Sequence, residues 1–393
     1  MKKEEVFLIE LCRNFINGGK VVIPKDIEYD MLFRLAEHHN LLGVCHCALN
    51  GADGRENVPK EFLKSLENSF FDYIFNFQCQ SNALEELRRL FSSAEIKYVL
   101  FKGACLRELY SVPEARAMGD IDLLIKTADS EKVRLLLTAN GYRCAAENGN
   151  VLDYVKNNVL LEVHTKIISE FGENVFDDAF NNAEFDGYTG ALYDSYNLAY
   201  MIAHTANHLK YTGAGIRFIM DIAVMLKNRN ANIEKTFEIL DKINLTEFGQ
   251  VLLSVCCEWF GIGKSYSANT DRVQEYLVED GVFGSMKDSV RSTVSRLRQC
   301  RALEENGKEK SKSPILLKLR LAFPPYETLR KASYINFIDG RPWLLPAAWA
   351  YRFFYNVKNN RGHMLQTVKN IDDEKTIALA KEELKFFEEI GLK

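Results

Sequence analysis

Gly119-Asp120-Ile121-Asp122-Leu123-Leu124-Ile125 is a short apolar run interrupted by two aspartates, set in a chain of otherwise helical texture. Its length and branched, apolar end predict a β-strand. Side chains alternate faces along a strand, so Asp120 and Asp122 share one face while Ile121 and Leu123 point into a core. Two carboxylates held side by side repel each other, and hard divalent cations with oxygen ligands are their natural counter-charge. Magnesium also takes phosphate oxygens as ligands, which would couple such a site to nucleoside triphosphates.

The flanking residues extend the pattern in both directions. Upstream, Lys97–Phe101 suits a strand, Lys102-Gly103 a turn, and 104–110 a helix. A glycine there lets backbone N–H groups approach a phosphate, the helix start adds partial positive charge, and Lys102 can neutralise phosphate directly. Downstream, Asp129 or Ser130 is placed to cap a helix through Leu137, which Asn140-Gly141 would stop, and 142–145 suits a further strand. Val151–Lys156 and Val159–His164 flank Asn157-Asn158, a pair that tolerates the left-handed angles of a tight hairpin. The second of these strands carries Glu162 and His164 on one face. If it neighbours the aspartate strand, Asp120, Asp122 and Glu162 converge, one metal activating the attacking oxygen and another holding a triphosphate.

Residues 96–168 therefore read as a small mixed sheet, within a unit taken to extend over 96–190. Residues 1–95 read as a helical segment, with apolar residues at three- and four-residue spacing (Phe7, Leu8, Leu11, Phe15; Met31, Leu32, Leu35) and a last helix over Asn82–Phe91. The helical period returns over 191–393, through 196–208, 216–226 and 237–260. The polar stretch 304–313 suits a linker, and a solvated helix is expected from Asp372. The fold class expected is α+β: a small mixed-sheet module flanked by N-terminal helices and a larger C-terminal helical region.

Lys102-Gly103, Arg116, Gly119–Leu124 and Leu161-Glu162-Val163-His164 together resemble the nucleotidyltransferase superfamily, and specifically a largely uncharacterised bacterial family with this pattern. The resemblance is close over residues 80–226 and looser elsewhere. It implies a DNA polymerase β-like module that moves a nucleotidyl group from a nucleoside triphosphate to an acceptor and releases pyrophosphate, with Mg²⁺ (two ions, or Mn²⁺ in their place). Carried over, Asp120 and Asp122 would be metal ligands, and Glu162 the third ligand or the base for the acceptor hydroxyl. Gly103 and Gly119 would lie against the nucleotide, with Lys102 and Arg116 as phosphate ligands; the alternative for Arg116 is a surface pair with Glu114 or Glu108. The wider superfamily has Gly-Gly or Gly-Ser where this chain has Lys102-Gly103. The acceptor expected is a small molecule, a peptide or a protein, and the rival reading is an inactive nucleotide-binding regulator or interaction module with the same fold.

Composition bounds these readings. The chain has 393 residues, 50 Lys+Arg against 54 Asp+Glu, and a net charge of −4, which argues against binding nucleic acid through bulk charge. An RNA-directed transferase is a weaker rival for the same reason. Nine cysteines show no secreted framework, Met1–Leu11 shows no signal-peptide pattern, and no apolar run reaches a membrane span, so a cytoplasmic protein is expected. His204 and His208 lie one helical turn apart, a spacing open to metal binding, to lining a substrate cleft with Asn207 and Lys210 ahead of Asp221, or to a simple structural role. His38-His39 with Cys45-His46-Cys47 matches no closed zinc pattern. The basic run 287–331 reads as a solvated face and 351–355 as core packing.

Overall fold

Tyr98–Leu100 (β1) and Asp120–Ile125 (β2) lie at the centre of a mixed sheet in the computed structural model, which describes residues 1–167, 175–266, 270–280, 323–330, 333–359 and 374–392. Arg143–Asn148 (β3), Val151–Lys156 (β4), Val159–His164 (β5), Ala183–Asp186 (β6) and Thr189–Leu192 (β7) complete it, in the order β3-β4-β5-β2-β1-β7-β6. β2 pairs antiparallel with β1 and parallel with β5, and β1 pairs parallel with β7. The β4–β5 hairpin turns at Asn157 and Asn158, with φ of 50° and 62°, the left-handed pair that matches strand twist in a two-residue loop. β6 and β7 form a second hairpin. The sequence does not mark them: each is four residues long, and Gly190 in β7 has no side chain to mark a face.

Alternation along β2 separates core from cleft. Ile121, Leu123 and Ile125 pack with Leu161 and Val163 of β5 and with Leu84, Leu87 and Phe91 of the long helix Lys60–Ser93. The even-numbered positions, Asp120 and Asp122 on β2 and Glu162 and His164 on β5, take the opposite face. That helix is preceded by Lys3–Asn17 (α1), Tyr29–His38 (α2) and Leu42–Asn50 (α3), and is α4. No glycine or proline interrupts Lys60–Ser93, so the stretch Asn82–Phe91 is the end of one 34-residue helix.

After β1 the helix expected over 104–110 is a single turn, Gly103–Leu106 (α5), followed by 3₁₀ geometry over Arg107–Leu109. Ser130–Ala139 (α6) connects β2 to β3. Beyond β7 come Asp194–Tyr211 (α7), Ile216–Asn228 (α8), Ile233–Asp241 (α9), Thr246–Phe260 (α10) and Asp271–Asp280 (α11). The continuous helix expected over 237–260 is broken between α9 and α10, where Asn244 takes a φ of 54°.

The chain divides into two compact units, one of residues 1–285 with 390–393 and one of residues 286–389. The second contains Tyr326–Leu329 (α12), Leu345–Asn359 (α13) and Glu374–Glu389 (α14), with a small core of Leu329, Ile335, Ile338 and Ala348. The polar segment 304–313 and most of the basic run 287–331 lie outside the described residues. No helix among the described residues is long and apolar enough to cross a membrane.

Candidate functional site

The parallel β2–β5 pairing sets Asp122 directly opposite Glu162. His164, two residues further along β5 on the same face, brings its Nε2 within 3.0 Å of Asp122 Oδ1 and 3.3 Å of Glu162 Oε2. Asp122, Glu162 and His164 each offer a donor atom, and these atoms lie within 4.8 Å of one another, so one small ion can touch all three. Two carboxylates and an imidazole, with the Asp120 carboxylate adjoining, are a donor set that suits a divalent ion. Asp120 sits on the cleft side of this group and faces the Glu162 carboxylate.

The electrostatics follow from the burial. Asp122 is 1% exposed, and burial alone would raise its pKa; the Lys102 charge and the His164 hydrogen bond outweigh this and hold it near 2. Asp120 has no such partner. Burial and repulsion from Asp122 and Glu162 push it up to about 6, against the pull of Lys102. Burial lowers the His164 pKa, but its hydrogen bonds to Asp122 and Glu162 more than compensate, so the imidazole holds its proton longer than a free histidine.

Lys102 closes the group from the β1–α5 turn. Its Nζ donates to Asp122 Oδ1 at 2.7 Å. Its backbone has φ 51° and ψ −130°, a region that L side chains rarely adopt, at a cost of about 1–3 kcal/mol. Burial disfavours its charge, yet the Tyr200 hydroxyl, Asp122 and Glu162 more than reverse this and keep the ammonium protonated. Gly103 follows it in a tight place: a Cβ there would meet Met118 side-chain atoms at 2.8 Å and Arg116 Nη1 at 3.1 Å. Around Gly119, by contrast, a Cβ would meet open space.

Asp120, Asp122, Lys102 and Gly103 open onto a cleft of about 470 Å³ whose other wall is α7 and α8, whereas Glu162 and His164 are not among its lining residues. Lys102, Gly103, Arg116, Gly119, Asp120, Asp122, His204 and His208 all line it. Asn207 does not, and its buried Oδ1 has no hydrogen-bond partner among the described residues. His204 stacks on Tyr200 and packs edge-on against His208, which in turn meets Phe218. Burial first, and then neighbouring positive charge, lowers both histidines, His208 to about 4, so the Tyr200–His204–His208–Phe218 part of this wall is neutral and aromatic.

Elsewhere in the cleft, Arg116 pairs with neither Glu114 nor Glu108. Its Nε and Nη2 donate to Asp221 at 2.7 and 2.9 Å, Tyr110 Oη donates to the same carboxylate at 2.6 Å, and Arg217 lies 3.6 Å from it. Two guanidinium groups thus share one buried carboxylate, leaving Arg116 Nη1 and Arg217 Nε unpartnered among the described residues. Arg217 and Tyr200 were missed from sequence. Each sits on a helix more than 70 residues from the aspartates, where nothing local marks it as facing them.

A family model described as an uncharacterised nucleotidyltransferase matches residues 25–261, which include every residue of the cleft. No curated protein and no solved structure matches the chain.

Proposed function

The chain belongs to the uncharacterised nucleotidyltransferase family, and on that premise we propose that it transfers a nucleotidyl group from a nucleoside triphosphate to an acceptor nucleophile. The observation that carries the reading is the convergence of Asp122, Glu162 and His164, with Asp120 beside them, where Asp120 and Asp122 line a cleft that Arg116 and Arg217 also line. Asp120, Asp122 and Glu162 would hold Mg²⁺, with His164 as a further ligand or an orienting neighbour. Divalent metal bound there supplies Lewis-acid stabilisation of charge on the phosphoryl oxygens.

The remaining work falls to the protein. The acceptor hydroxyl attacks the α-phosphorus in line, the bond to the bridging oxygen of the β-phosphate breaks, and pyrophosphate leaves. The acceptor's proton passes to a carboxylate of the site. Gly103 lets the turn pack against Met118 and Arg116 at the edge of the cleft, Lys102 and Arg116 offset the triphosphate's charge, and the Tyr200–His204–His208–Phe218 wall orients what lies beyond the phosphates. The acceptor is a small molecule, peptide or protein side chain that enters from the α7–α8 side. The reaction would take place in the cytoplasm.

The test is pyrophosphate release and transfer of ³²P from α-labelled nucleoside triphosphates in the presence of Mg²⁺, against a panel of hydroxyl and amine acceptors. Release that depends on the metal and on Asp120 supports the reading. Tight triphosphate binding with no turnover on any acceptor would favour the nucleotide-binding regulator instead.

A further inference from the structure

Lys102 occupies a backbone conformation in which glycine would be unstrained, and its ammonium rests on the most buried carboxylate of the cleft. These two observations belong together. A glycine at this position could make the same turn at no conformational cost, so what the strained residue adds is the cation. Asp122 accepts from Lys102 at 2.7 Å and from His164 at 3.0 Å through the same oxygen, Oδ1. A carboxylate buried this deeply requires a positive partner at all times. A divalent ion approaching the cluster therefore meets a like charge already seated on its central ligand.

We propose that Lys102 is a resident counter-cation that keeps free divalent ions off the Asp122–Glu162–His164 cluster until a triphosphate draws the ammonium away, so that metal and nucleotide enter together. This rests on the reading of the cleft as a metal-dependent nucleotide site. The exchange conserves charge: the ammonium leaves Asp122 for phosphate oxygens as the metal takes its place, and Asp122 is never left unpaired. The side chain has the freedom to make the move. Its four-carbon stem swings without backbone motion, and the Lys102 side chain keeps 23% of its surface open and lines the cleft beside Gly103. Lys102 is thus a positioning residue for the metal as well as a phosphate partner.

The experiment is Mn²⁺ binding followed by electron paramagnetic resonance, with and without an equimolar mixture of ATP, GTP, CTP and UTP. It compares the wild-type protein with Lys102→Gly, which removes the ammonium and relaxes the turn, and with Lys102→Arg, which keeps a cation. Without nucleotide, Lys102→Gly should bind Mn²⁺ about tenfold tighter than wild type or more, while Lys102→Arg stays close to wild type. Nucleotide should raise the Mn²⁺ affinity of wild type much more than that of Lys102→Gly. Thermal unfolding provides a second readout, with a larger Mn²⁺-induced rise in Tm for Lys102→Gly. Equal or weaker Mn²⁺ binding by Lys102→Gly overturns the gating role while leaving the nucleotide site intact. Absence of Mn²⁺ binding by all three proteins, with or without nucleotide, overturns the metal-dependent reading and this inference with it.

Discussion

Asp122 and Glu162 face each other residue to residue across two parallel strands, and the His164 Nε2 stands 3.0 Å from the first and 3.3 Å from the second. Neighbouring Asp120 shares the face but not the partners. The two aspartates, one residue apart, therefore have opposite energetic roles in the metal-free protein.

Replacing them should separate function from stability. At neutral pH Asp120 is charged although its folded pKa, about 6, is above its ordinary value, so it opposes folding. Asp120→Asn should abolish nucleotidyl transfer while raising metal-free stability by about 1–3 kcal/mol. Asp122→Asn should also abolish transfer but lower stability by about 3–5 kcal/mol, because Lys102 loses its buried partner. Urea unfolding in EDTA, read beside the transfer assay, checks both signs.

The Arg116–Asp221 pair predicts a structural loss that does not involve the carboxylate cluster directly. Asp221→Asn leaves two buried guanidinium groups facing each other and should cost about 3–5 kcal/mol. Glu114→Gln should change stability by less than about 0.5 kcal/mol, since Arg116 does not pair with it. Chemical denaturation of the two variants distinguishes this arrangement from a surface ion pair.

How far the site could be read in advance depended on distance along the chain. The Asp120–Asp122 face, the Asn157-Asn158 turn and the Glu162–His164 face follow from alternation over a few residues, and the sheet places them as that alternation requires. Arg116 was visible but its partner was not: Asp221 lies 105 residues away, and only the packing of α8 against the β1–β2 connection brings them together. The strain at Lys102 was likewise hidden, because residue type records a departure from glycine without recording the angles the turn imposes. The α9–α10 break and the β6–β7 hairpin escaped because a four-residue element carries too few positions for a period to show.

A pH effect should come from His39. It is fully buried, Nδ1 accepts from the Ile216 N–H at 3.2 Å, and Nε2–H donates to the Val278 carbonyl at 2.9 Å. A second proton has no place to go, and burial lowers its pKa to about 4. Its unfolded value is near 6.5, so the unfolded state binds more protons between these limits, and stability falls as pH drops from about 6.5 to about 4. The loss should reach roughly 3 kcal/mol. His39→Gln should flatten this part of a Tm-versus-pH profile, whatever its effect on Tm at pH 7.

The central claim is that the carboxylates and the turn form one metal-dependent triphosphate site. Isothermal titration calorimetry of the four ribonucleoside triphosphates, with Mg²⁺ or with EDTA, into the wild-type protein and into folded Asp120→Asn tests it most directly. The account predicts binding of at least one triphosphate that requires Mg²⁺ and is weakened at least about tenfold in the variant. Binding that is indifferent to both Mg²⁺ and Asp120, or no binding of any triphosphate, would contradict it.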